Sequence, residues 1–223
     1  MRFILILLIS FFYWQWISLY LLAISIKGKN DTIQKIQDKT LLDLVYKKTG
    51  LLLESIRISS AKRLYGMMIG LPGKPYMILS KGLYESFDHN EKEYVVLHEA
   101  GHYLLGHSKK LAVSYFTLLI ISFLFTISVQ SLFIWVCVAV LIGILQTQVS
   151  RMCEYEADAF TLEHITNPQG MINATQKFEK QFLFPGRFIR LDEDTLIGRL
   201  IYISIPYNIR KRRAYEEIQR RKK

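Results

Sequence analysis

Residues 98–102 read His-Glu-Ala-Gly-His, inside the stretch EYVVLHEAGHYLLGH at 93–107. On a helix, positions i and i+4 share a face, so His98 and His102 can each aim one ring nitrogen at a single ion. Glu99 lies one residue round, beside such an ion and not on it. Zinc held this way brings the pKa of a bound water to about 7 and polarises a carbonyl. Glu99 is then placed to take that water's proton. The competing reading is a half-buried helix whose histidines are satisfied by local hydrogen bonds.

A catalytic zinc takes three protein ligands and keeps a fourth position open, so the pair of histidines leaves the site one short. Three candidates stand downstream. His107 is five residues past His102, which on a continuous helix turns it away from the ligand face and reads as structural. His164 is a lone histidine near a helix end. In SRMCEYEADAF, residues 150–160, Glu154 and Asp158 stand at i and i+4 on one helix face. Glu154 can ligate a metal, and Asp158 can accept the outer N–H of a ligating histidine and set its tautomer. Their bland alternative is an acidic face paired with Arg151.

The elements that carry these residues are separated by apolar sequence. No charged residue occurs between Lys110 and Arg151. One helix from Leu111 to Gln146 would be about 54 Å long, far beyond a ~30 Å hydrocarbon core. Ser128-Val129-Gln130-Ser131 divides the run, which predicts a helical hairpin over 111–127 and 131–147. Short arms leave a full crossing and a re-entrant hairpin both open. Either version returns Arg151 to the side of Lys109 and Lys110. A second uncharged run, Phe3 to Ile26, is 24 residues long and suffices for a transmembrane helix. Its length, and the lack of a small-residue cleavage site before Lys27, favour an uncleaved anchor over a signal peptide.

The 223 residues are 51% hydrophobic, with a net charge of +10. Setting the two apolar runs aside leaves about 160 residues, enough for one domain with a sizeable core. The basic residues cluster beside the apolar runs, at 27, 29, 35 and 39, at 109, 110 and 151, and in the C-terminal RKRR and RRKK. That placement points to a lipid bilayer as the partner and not to nucleic acid, with the soluble parts on the cytoplasmic face. Two cysteines make no disulfide framework.

Local patterning predicts a helix over 31–55, strands at SIRIS (55–59) and in RLYGMMIG (63–70), and a β-hairpin over 64–80 that returns through YMILS (76–80). Asp88 and Glu91 form a capping box for a helix running through His102 and fading near Gly106. Further helices are expected at 148–164, 170–182 and 207–221. Helices with one small sheet make the class α+β. A substrate could add as an extended strand along YMILS.

The segments YMILSKGLYESF, EYVVLHEAGHYLLGH and SRMCEYEADAF follow one another with an apolar run before the last. In these the chain resembles the membrane zinc metalloproteases of peptidase family M48, the HtpX-like and CAAX prenyl protease-like group, over roughly residues 65–165. The resemblance implies a mostly helical zincin-like metalloprotease domain with a small β-sheet, plus transmembrane helices. It implies one Zn2+ per chain with His98, His102 and Glu154 as ligands, Glu99 as catalytic base and Asp158 behind the ligands. The chain then divides into an anchor (1–26), a first protease part with the HExxH helix (27–110), a membrane hairpin (111–147), and a second protease part ending in a basic helix (148–223). The implied activity is an endopeptidase of the inner, cytoplasmic membrane. It cleaves protein or peptide substrates, membrane proteins among them, in quality control or processing. The alternative is a catalytically inactive scaffold or regulator. Family members often carry His-Pro before the last helix, where this chain reads Ile205-Pro206. That leaves Tyr207 and Arg210 as candidates to stabilise a transition state.

Overall fold

Residues 31–55 are not one helix: the chain divides at Asp38. The Asp38 side chain accepts a hydrogen bond from the Leu41 N–H and starts α1 (Lys39–Thr49), which ends at Gly50 with φ 72°. Ahead of it, Ile33–Ile36 is a strand, β1, paired antiparallel with β2 (Ser55–Ser59). A cap at Asp38 closes the helix upstream, and a partner strand distant in sequence claims the isoleucines. The computed structural model describes residues 32–36, 38–70, 73–128, 131–182 and 205–223. The expected anchor over 1–26, the lysines at 27 and 29, and Val129-Gln130 of the dividing segment lie outside the described residues.

The sheet runs β1-β2-β4-β3, with β3 at Gly66–Ile69 and β4 at Tyr76–Ser80. β3 and β4 form the expected antiparallel hairpin, and β4 lies parallel to β2 with Ser55 opposite Tyr76. β4 therefore has neighbours on both sides, and Met77 and Leu79 are fully buried. No substrate strand can add along YMILS; the open edge next to it in the sheet is β3. Sequence alone marks both strands of a hairpin equally, and only the β2 pairing shows which one is interior.

β4 leads through a Ser80 cap into α2 (Lys81–Ser86), and the Asp88–Glu91 capping box opens α3 (His89–Leu104). α3 is the central helix, packed by α1, β3 and the helices Leu132–His164 and Gln169–Phe182. Its burial is nearly continuous from Tyr94 to His98 and resumes at Ala100 and Gly101. Two acidic side chains are buried on it with partners. Glu91 takes Lys177, and Glu93 accepts from the N–H and hydroxyl of Thr166. They tie α3 to the elements after the third-ligand helix.

Gly106, at φ 65°, ends this segment and lets a new helix begin at once: α4 (His107–Ser128). A left-handed residue is cheap only for glycine. Next in the chain, α5 runs from Leu132 to His164 as one helix of 33 residues. The hairpin arm expected at 131–147 and the helix expected at 148–164 are thus a single rod. Ser114 Oγ donates to Gln146 Oε1 at 2.8 Å between the two arms. Outward-facing apolar side chains line both arms, including Val113, Phe116, Ile120, Leu124, Phe133 and Val140. Among the described residues no helix is long and apolar enough to cross a membrane.

α6 (Gln169–Phe182) and α7 (Tyr207–Arg221) complete the described fold. Arg221 donates to the carbonyls of Leu162, Ile165 and Thr166, so α7 satisfies orphan carbonyls at the end of α5.

Candidate metal centre

His98 and His102 stand one turn apart on α3, with Nε2 atoms 3.1 Å from each other. Glu154 on α5 closes the triangle: Oε2 lies 3.4 Å from His98 Nε2, and Oε1 lies 3.3 Å from His102 Nε2. Among the described residues this is the group of His, Cys, Asp and Glu whose ligand atoms converge. Zinc in tetrahedral coordination, with bonds of ~2.0–2.1 Å, spaces its ligand atoms roughly 3.3 Å apart. The two histidine nitrogens and a Glu154 oxygen lie within 4.8 Å of one another, a donor set of the kind that holds such a cation. His98 is buried while His102 and Glu154 are half-buried, so the centre is reachable from one side.

Close approach of α3 and α5 brings Glu154 to the histidines. A Cβ built on Gly101 would sit 3.0 Å from Phe160 Cδ1 and 3.6 Å from the Ala157 Cα. The glycine inside the His-Glu-Ala-Gly-His motif thus sets the spacing between the two ligand helices.

Behind His98, Asp158 Oδ1 is 3.0 Å from Nδ1, and neither atom has another partner among the described residues. A proton on Nδ1 then leaves Nε2 free to ligate. Arg210, reaching in from α7, donates through Nε to Asp158 Oδ2 at 2.8 Å and through Nη2 to Glu154 Oε2 at 3.0 Å. Its Nε and Nη2 are thus engaged by the two carboxylates. Tyr207 is half-buried in the first turn of α7.

The electrostatics favour positive charge at the centre. Burial alone would lower His98, but hydrogen bonding and charge from Asp158 and Glu154 outweigh it and hold its pKa at about 10. Burial pushes Glu154 up, yet His102, His98 and Arg210 carry it well below the usual carboxylate range. Asp158 follows the same pattern: burial opposes ionisation, and Arg210 with His98 lowers it. Glu99 differs. Burial raises its pKa, and His98, His102 and the Met68 backbone offset that only in part. Glu99 is half-buried beside the sheet, with its Cγ 3.5 Å from the position a Cβ on Gly66 of β3 would take. The two glutamates are thus pushed apart in acidity, Glu154 downward and Glu99 upward.

His164 lies away from the triangle. Its Nδ1 contacts the Phe160 carbonyl at 2.7 Å and its ring stacks on Phe160. His107 is not in the triangle either, but its ring lies against the back of His102, Nδ1 to Nδ1 at 2.7 Å. Continuous-helix spacing misplaces it because Gly106 breaks the helix first. Sequence reasoning singled out Arg210 but not its pairing with Asp158 and Glu154, which lie 52 and 56 residues away. The one signal for that pairing is an arginine on the inner face of an otherwise basic helix.

Among curated proteins nothing matches this chain. Among solved structures it is similar to one described as the crystal structure of S. mikatae Ste24p, with a TM-score of 0.66 and 15% identity. The likeness covers 95% of this chain and 62% of that one, so the chain spans less than two thirds of its neighbour's length. At that identity the likeness speaks to the fold. The model of peptidase family M48 matches residues 29–195 of the 223, a range that contains His98, Glu99, His102, Glu154 and Asp158. The chain belongs to peptidase family M48, the family of metalloproteases to which the helix-borne histidines pointed.

Proposed function

We propose that this chain is a zinc-dependent endopeptidase that cuts protein or peptide substrates at a membrane surface. The observation that carries the reading is the convergence of His98, His102 and Glu154, two imidazoles and a carboxylate whose ligand atoms lie within 4.8 Å of one another, a donor set that suits one zinc ion. Zinc held there would supply Lewis acidity to a scissile carbonyl and acidify a water. Glu99 would serve as the base that takes a proton from the attacking water and gives it to the leaving amine. Burial raises its pKa above the ordinary carboxylate range, the direction that favours a group that must take up a proton. Asp158 keeps His98 in its ligating tautomer, and Arg210 holds the anionic Glu154 in place.

Substrate enters as an extended strand along the free edge of β3, where main-chain hydrogen bonding recognises a backbone without reading its sequence. β3 passes directly beside Glu99, so a strand docked there carries its peptide bonds past the base.

Membrane placement rests on the hairpin. Phe116 is 61% exposed, Leu124 58% and Phe133 77%, and such a stripe has no reason to face water. Both ends of the hairpin meet at the metal site, so it enters lipid and returns to one face, which the flanking basic residues mark as cytoplasmic.

The test is cleavage of an unfolded protein substrate by the full chain in detergent, with bound metal counted. One zinc per chain, with activity lost to a chelator and regained with zinc, is the expected result. Activity that survives complete metal removal would refute the reading.

A further inference from the structure

His107 is the first residue of α4, 1% exposed, and bears no ligand role. Its ring is edge-on to His102, with centroids 4.8 Å apart and planes at 78°. Nδ1 of His107 lies 2.7 Å from Nδ1 of His102, and its Nε2 lies 3.0 Å from Glu156 Oε2. Glu156 stands on α5, two residues past Glu154, and also receives Lys110 from the foot of α4. The chain of contacts runs His102, His107, Glu156, Lys110.

Two ring nitrogens at 2.7 Å can share only one proton. His102 faces the triangle with Nε2, so its own proton sits on Nδ1 and points at His107. The Nδ1 of His107 is then the bare acceptor, and its proton sits on Nε2, aimed at Glu156. Every donor in this series meets an acceptor, with one arrangement of protons. His98 is backed directly by Asp158, whereas His102 is backed by a second histidine and a carboxylate on the opposite arm of the hairpin.

We propose that His107, oriented by Glu156, is a positioning residue for the metal centre: it fixes the Nδ1–H tautomer and ring angle of His102 and so sets the affinity for zinc. The inference rests on the zinc reading above. It extends that reading by making the feet of the apolar hairpin, α4 and α5, part of the support of the second histidine ligand.

The test compares the full chain with His107→Leu, His107→Gln and Glu156→Gln. Glutamine at 107 keeps the polarity, a carbonyl to accept from His102 and an amide to donate to Glu156; leucine keeps only bulk. Zinc dissociation constants are read by chelator competition, and the visible spectrum of the cobalt(II)-loaded proteins reports ligand geometry. Thermal unfolding of the metal-free proteins reports packing. His107→Leu is expected to bind zinc about 10–100-fold more weakly, with an altered cobalt spectrum, while His107→Gln stays near the parent in both. Glu156→Gln is expected between them. Equal affinity in His107→Leu and the parent overturns the inference. So does an equal loss in His107→Leu and His107→Gln, which would make the position a matter of packing. If the unsubstituted chain takes up no zinc, the metal reading itself falls and this inference with it, an outcome separate from the other two.

Discussion

Arg210 Nη2 lies 3.0 Å from Glu154 Oε2, the same carboxylate oxygen that lies 3.4 Å from His98 Nε2. The final helix therefore reaches through the core to hold Glu154. Asp158, which shares the guanidinium, is fully buried. Removing the cation leaves two carboxylates, one fully buried and one half-buried, without it. Arg210→Met is expected to destabilise the metal-free chain by about 3–5 kcal/mol, read as a lower unfolding midpoint. Arg210→Lys should recover only part of it, because an ammonium lacks the planar fork that spans both acids. Parent-like stability in Arg210→Met would contradict the pairing.

Glu99 stands beside the triangle without belonging to it. Glu99→Gln should retain one zinc per chain and lose cleavage by about 10²–10⁴-fold, the range for a general base. Metal content and turnover measured on one preparation separate the two effects. An active Glu99→Gln protein would remove Glu99 from the mechanism.

Gly101 holds α3 against Phe160 and Ala157 of α5. Gly101→Ala meets a Phe160 ring that can yield, and gains about 1 kcal/mol of helix propensity in return, so it is expected to stay near neutral. Gly101→Val adds methyl groups that the contact cannot absorb, at about 1–3 kcal/mol. Zinc affinity should fall with it, since Glu154 rides on the displaced helix. Chelator competition on the two variants would show whether spacing, and not simply substitution, controls the site.

Cys137 is exposed on the second arm of the hairpin, and Cys153 is buried beside the site. In liposomes a water-soluble maleimide should leave Cys137 nearly unlabelled, and unfolding in denaturant should release both thiols. Rapid labelling of Cys137 in intact liposomes would place that arm in water and withdraw the membrane reading of the hairpin.

Residue order alone determined the parts whose physics is local. The Asp88–Glu91 box, the i and i+4 pairs His98/His102 and Glu154/Asp158, and the span of α7 all rest on backbone geometry within a turn or two. The β3–β4 hairpin is local in the same sense. Tertiary structure decided what depends on how distant elements cross. β1 is a strand because β2 lies beside it. β4 is closed to substrate because β2 covers its second edge. His107 reaches His102, and Arg210 reaches Glu154, only because Gly106 restarts the helix and α7 folds back over α5. Spacing along a helix says which side chains share a face. It carries no information on what that face meets, and at this centre the meeting of faces is what joins Glu154 to the two histidines.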